Sequence, residues 1–333
     1  LAAANVGGTR TVLELAALQH PLPVELISSV AVYEARAYRN RELVETDDLS
    51  EWKGIHIGYS QTKWVSERLV LAAGKLGLPV RIYRPPLIAG HSISGLWHQD
   101  DLLHRLLRGS LELGLAPDIA WELDLVPVDY VADAVSVMAW QPAESGRCFH
   151  LHHPQSLLLA DVLRGLIERG APLKMVSMPE WLDALEHQPA NPLHPIRAFF
   201  SRRWGEDQLT YPEMNQAGVR ARPSCAITVA ALAERGVVCP SFEQLIGPYS
   251  RTALLATLLL QAGLCAAFVR VVRRRLGAAT STSAQAGPVP AAEVVLCLRG
   301  VDPALDEALC ALAAQRYPGV WRLLVIVDSR QDP

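Results

Sequence analysis

Gly58-Tyr59-Ser60-Gln61-Thr62-Lys63-Trp64 decides how this chain is read. On a helix, Tyr59 and Lys63 stand one turn apart and share a face. An ammonium held there favours the phenolate of Tyr59 and lowers its pKa, which makes the pair a proton donor near neutral pH. Chance also places Tyr-x-x-x-Lys on ordinary surface helices. The flanking segments decide between the two.

Downstream, the helix runs to about Lys75 and is closed by Gly77, and Leu78–Arg84 is an apolar strand stopped by Pro85-Pro86. Upstream, residues 34–57 are charged and irregular. Before them Val24-Glu25-Leu26-Ile27-Ser28-Ser29 is a short strand ending in two hydroxyls. Ala2–Ala17 has the pattern of an amphipathic helix with Asn5 near one end, broken by Pro21 and Pro23. Helix, strand, loop, helix, strand is the alternation of an α/β fold built on a doubly wound parallel sheet. Ligands gather at the carboxyl ends of such strands, where Ser29 and Pro85 fall.

Four motifs occur in an order that resembles the extended short-chain dehydrogenases/reductases. They are Asn5-Val6-x-Gly8-Thr9, Ser28–Tyr33, Tyr59-x-x-x-Lys63 and Arg84-Pro85-Pro86-x-Ile88-x-Gly90. Finer features are similar to the thioester reductase domains of peptide synthetases and carboxylic acid reductases: Gly58–Arg68, Gly90-His91-Ser92-x-x-Gly95, Asp100-Asp101, Val126–Ala132 and Gly236–Pro240. The resemblance spans residues 1–250. It implies a Rossmann-like NAD(P)-binding domain with a mostly helical substrate cap, NADPH (NADP) as cofactor, and an acyl-phosphopantetheine on a carrier protein as substrate.

It also implies roles. Tyr59 protonates the carbonyl oxygen, and Lys63 tunes the tyrosine and holds the nicotinamide ribose. Ser29, rather than Ser28 by its spacing to Tyr33, bonds the substrate carbonyl, and Asn5 supports a proton relay behind the lysine. Arg84, Pro85 and Pro86 lie at the cofactor, although the family more usually has Pro-Gly there. One departure is large: the glycine-rich turn that seats the pyrophosphate is missing, and Gly7-Gly8-Thr9 has the wrong spacing and lies in a helix. The expectation is a truncated, incomplete Rossmann sheet whose missing segment precedes Leu1, and a chain that by itself binds NADPH weakly or not at all.

Composition bounds the alternatives. The 333 residues carry a net charge of −3, which offers no electrostatic footprint for nucleic acid. The six cysteines show no metal-ligand spacing and read as buried thiols in a reducing compartment. His150, His152 and His153 lack an acid at ligand spacing and read as core or solvated residues, and no metal site is expected. Leu157–Arg169 and Pro179–Glu186 read as cap helices, and the tryptophans as packing.

Beyond residue 250 the pattern changes. Thr252–Val269 is apolar apart from Gln261, and arginines follow at 270 and 273–275. Residues 252–272 are therefore a transmembrane candidate whose C-terminal end is cytoplasmic, with a buried helix as the alternative. Residues 277–292 form a small-residue linker. Glu293–Gly300, Asp306–Arg316 and Leu323–Asp328 read as strand, helix and strand. With Leu298–Pro303 and Gln315-x-Tyr317-Pro318 they resemble the opening of family-2, ceramide-glucosyltransferase-like glycosyltransferases, so residues 293–333 are expected to begin a second, incomplete α/β domain.

Three functions stay open. The first is a membrane-anchored, NADPH-dependent thioester reductase. The second is a reductase of sugars or steroids, which shares the Asn, Ser, Tyr and Lys. The third is a membrane-bound glycosyltransferase carrying a non-catalytic reductase-fold binding module.

Overall fold

The computed structural model describes residues 1–18, 20–141, 146–245 and 247–249, and the backbones of two further strands, Ala292–Arg299 and Trp321–Asp328. A π-helical turn, Ala3–Gly7, runs without a break into α1 (Gly8–Ala16), so Gly7-Gly8-Thr9 is helical. β1 (Val24–Ile27), α2 (Gly58–Lys75) and β2 (Val80–Arg84) follow in the order the sequence implies. A 3-10 turn at Val30–Glu34 leads into the segment read as irregular, and a second, Arg36–Tyr38, lies within it. Then come β3 (Leu87–Ala89), α3 (Leu102–Leu113), β4 (Leu125–Pro127), α4 (Val128–Ala139) and β5 (Arg147–His150).

Among the described residues β1, β2 and β5 form one parallel sheet in that order, with Ile27 opposite Tyr83 and Arg84 opposite His150. Every residue of β1 and β2 is buried, as a sheet covered on both faces requires. The two-residue period sorts the layers. Val80 and Ile82 pack with Ala16 of α1 and Val70 of α2 on one face. Tyr83 packs with Val131, Ala134 and Val135 of α4 on the other. This is the doubly wound arrangement. α2 ends where Gly77 adopts φ +100°, a left-handed conformation that residues with a Cβ avoid.

A second, mostly helical core forms the cap. Leu103, Leu106 and Leu107 of α3 pack against Leu159 and Leu163 of α5 (Leu159–Glu168), Trp181 and Leu185 of α6 (Met178–Glu186), and Phe200. The expected cap helices are thus present, except that Leu157-Leu158 pairs with Glu122-Leu123 as a small antiparallel strand. Trp121 and Trp181 serve packing. The chain then returns to the sheet domain: Arg222–Pro223 pairs with Glu42–Leu43, and α7 (Ala226–Ala233) packs on α4 and β5.

The three histidines are buried. His152, which the sequence leaves without an acid, bonds through Nδ1 to Asp124, twenty-eight residues away and brought near only by folding.

At the C-terminal end, Ala292–Arg299 and Trp321–Asp328 pair in parallel, Leu298 opposite Val327, matching the two strands expected there. The helix expected between them, the candidate span 252–272 and nearly all of the 277–292 linker lie outside the described residues. Among the described residues no helix is long and apolar enough to cross a membrane.

Candidate active site

Helical periodicity puts Ser60, Lys63, Ser66, Glu67 and Val70 on the buried face of α2. A core face rich in polar groups is stable only where those groups find partners. Lys63 Nζ donates to the Ile27 carbonyl at the end of β1, at 3.0 Å. Ser66 Oγ donates to the Asn5 carbonyl at 3.1 Å, and Glu67 binds Arg84. The stripe is mostly polar where a purely structural helix would carry leucines.

Asn5 lies in the π-helical turn, a conformation that recurs at functional sites. Its Nδ2 donates to Thr62 Oγ1 at 2.8 Å, and Thr62 Oγ1 donates to the Tyr59 carbonyl at 2.7 Å. Its own carbonyl takes the hydroxyls of Thr9 and Ser66. Asn5 is thereby fixed against the first turns of α2, and Thr62, which sequence reasoning passed over, is the link. Lys63 Nζ lies 5.8 Å from the centroid of the half-buried Tyr59 ring.

Ser29 caps the 3-10 turn Val30–Glu34, its Oγ accepting from Ala31 N at 3.2 Å. Ser28 N donates to the Tyr83 carbonyl, and its own Oγ is buried without a hydrogen-bond partner among the described residues. Val30 N donates to the Pro85 carbonyl at 3.1 Å, so the end of β2 fastens the serine turn. Asn5, Ser29, Tyr59, Lys63, Pro85 and Pro86 therefore converge where β1 and β2 end.

Arg84 turns inward, between β2 and α2. Expected at the cofactor, it is only 1% exposed, and Nε and Nη2 donate to the two Glu67 carboxylate oxygens at 3.0 and 2.7 Å. Nη1 meets His150 Nε2 at 3.2 Å. Burial, then His152, then Arg84 push the His150 pKa down to about 3, so its ring is neutral. A neutral ring that donates from Nδ1 to the Ser224 carbonyl has Nε2 free to accept from Arg84. With every nitrogen committed, Arg84 braces β2 against α2.

Folding also brings in groups the sequence did not single out. Burial pushes the Glu34 carboxyl up to about pH 7, the Ser60 hydroxyl opposing the shift. Tyr211, from the cap, is raised by burial and then by the charges of Glu34 and Tyr59. The cap is latched beside them: Arg36 pairs with Glu206 and Asp207, and Arg39 with Asp207 at 2.6 Å.

A serine at the end of β1 and a tyrosine beside a lysine anchored there are groups that suit the nicotinamide end of a dinucleotide. The helical Gly7-Gly8 offers no pyrophosphate cradle.

Comparison with known proteins agrees. The NAD-binding family described as Male sterility protein matches residues 1–135. The glycine betaine reductase of Emericella nidulans is 37% identical over 187 residues, 55% of this chain and 14% of that protein. The isonitrile lipopeptide synthase of Streptomyces coeruleorubidus is 31% identical over 249 residues, 73% of this chain and 16% of that protein. The chain therefore spans a small fraction of the curated relatives it matches. The crystal structure of the terminal R domain from the myxalamid PKS-NRPS biosynthetic pathway superposes with a TM-score of 0.69 at 31% identity, covering 79% of this chain and 65% of that one. The sheet and its cap thus have the Rossmann-like fold of thioester reductase-type domains, and the chain is similar in sequence to NAD(P)-dependent oxidoreductases.

Proposed function

We propose that the chain carries out the proton-transfer part of an NADPH-dependent reduction of a carrier-bound acyl thioester to an aldehyde, or onward to an alcohol. The observation that carries this reading is the convergence of Asn5, Ser29, Tyr59 and Lys63 at the ends of β1 and β2. Similarity to a lipopeptide synthase and to a terminal R domain favours a carrier-bound substrate over a free sugar or steroid.

NADPH, when bound, supplies the hydride. Ser29 and Tyr59 hydrogen-bond the thioester oxygen and stabilise the oxyanion that develops there. Tyr59 gives its proton to that oxygen, producing a hemithioacetal. Lys63, held in place by the Ile27 carbonyl, favours the resulting phenolate. The Asn5–Thr62 bond sets the first turn of α2, which carries Tyr59. Collapse of the hemithioacetal breaks the C–S bond. Its hydroxyl proton returns to Tyr59, and the pantetheine sulfur leaves as a thiolate that takes a proton from solvent.

The test is NADPH oxidation with an acyl-pantetheine thioester, by this chain and by the chain extended upstream with one βαβ half, each beside its Tyr59→Phe variant. Turnover that releases thiol and is lost in Tyr59→Phe supports the reading. No turnover in either form moves the assignment to a binding module. That second reading, a module tethered through 252–272 to a glycosyltransferase beginning at 293, draws on the parallel pairing of Ala292–Arg299 with Trp321–Asp328.

A further inference from the structure

From β2 to α7 the chain passes between the sheet domain and the cap four times. It enters the cap through 85–101, returns through 118–124, enters again through 151–158 and returns through 215–221. Asp124, in the second passage, bonds to each of the other three. Its carbonyl accepts from Leu87 N of the first at 3.1 Å. Its carboxylate accepts from His152 Nδ1 and, at 3.3 Å, from His153 N, both of the third. Arg220 of the fourth donates from Nη2 to the same carboxylate at 3.3 Å and from Nη1 to the Glu122 carbonyl at 3.0 Å.

These ties matter because the buried apolar residues of the cap form a cluster separate from those of the sheet domain. Two bodies without a common apolar core shift against each other unless something else holds them. The ion pairs from Arg36 to Glu206 and Asp207 are exposed, and pairs of that kind hold weakly. The Asp124 side chain is only 12% exposed and His152 2%, and bonds to a buried carboxylate are stronger. The knot also reaches the site. Leu87 follows the Pro85-Pro86 turn, whose Pro85 carbonyl accepts from Val30 N in the turn that Ser29 caps.

We propose that Asp124 is a positioning residue that joins the four passages and thereby fixes the orientation of the cap over the Ser29–Tyr59 site. It sets the space open to an acyl group without touching the reacting atoms. This deepens the reductase reading above by naming what seats the cap on that site.

A distance measurement on the whole chain tests it. Spin labels on encoded keto side chains at Lys75 of α2 and Glu168 of α5, both exposed, report the separation of sheet domain and cap by double electron–electron resonance. The wild-type chain is expected to give a narrow distribution. In Asp124→Asn, with an unchanged circular dichroism spectrum, the distribution broadens about 2-fold or more, and Asp124→Glu recovers part of the narrowness. Arg220→Gln unties one passage, gives an intermediate width, and decides the question if Asp124→Asn does not fold. Val70→Ala opens a cavity in the sheet core at a comparable cost in stability and leaves the width unchanged. The inference is overturned by a broad wild-type distribution, by an unchanged width in the deciding variant, or by equal broadening in Val70→Ala. No turnover is read, so an inactive chain overturns the reductase reading and leaves the role of Asp124 standing.

Discussion

Lys63 Nζ donates to the carbonyl of Ile27 at 3.0 Å, tying the lysine of Tyr-x-x-x-Lys to the last residue of β1. The bond fixes where the charge sits, 5.8 Å from the Tyr59 ring centroid, and lets β1 position a group carried by α2. Replacing Lys63 with Met removes the charge and leaves the Ile27 carbonyl without its donor. Turnover is expected to fall about 10²-fold or more, with the activity profile displaced to higher pH as Tyr59 loses its tuning cation. A pH–rate profile of the upstream-extended chain checks this, and an unshifted profile contradicts it.

The Arg84–Glu67 pair is buried, with side-chain exposures of 1% and 2%. Removing one partner strands the other charge in the interior. Glu67→Gln is expected to cost about 3–5 kcal/mol in unfolding free energy, measured by urea denaturation. A cost comparable to a surface pair, under about 1 kcal/mol, would show that the pair does not brace β2 against α2.

Glu34 makes stability depend on pH in a definite direction. Its folded pKa of about 7 lies above the ordinary 4.5, so the folded state holds this proton more tightly. Its contribution is therefore complete below about pH 4.5 and is lost as pH rises towards and through 7. Glu34→Gln should flatten that part of the stability curve by about 1–3 kcal/mol, read from urea midpoints at about pH 5 and pH 8.

Asp124 acts with the opposite sign. Burial pushes its pKa up, but His152, Arg220 and the His153 amide outweigh burial and hold it below the ordinary 3.8. Its contribution is present above about pH 4 and is lost as pH falls through the lowered folded value. Asp124→Asn should destabilise the chain by about 1.5–3 kcal/mol at about pH 7, with the difference narrowing in acid. A difference independent of pH would rule out an ionic role.

Local order was legible. The pattern of α1, the apolar runs of β1 and β2, and Gly77 after the Tyr59 helix are short-range signals, and each element appears where they put it. So did the helical state of Gly7-Gly8, because nothing near them breaks the periodicity. The pairing of Arg84, the last residue of β2, with Glu67 was not legible, since nothing local reveals which distant group a buried strand residue meets. His152 and Asp124 escaped notice because twenty-eight residues separate them.

The sequence by itself determined the alternation of helices and strands, the Tyr59–Lys63 spacing and the two strands near the C-terminal end, since these depend on periodicity within one or two turns. The tertiary structure alone decided which polar groups meet. It committed Arg84 to Glu67, held Lys63 on Ile27, and brought Asp124 to His152. Burial and the choice of partner are properties of packing between distant segments, and no local pattern encodes them.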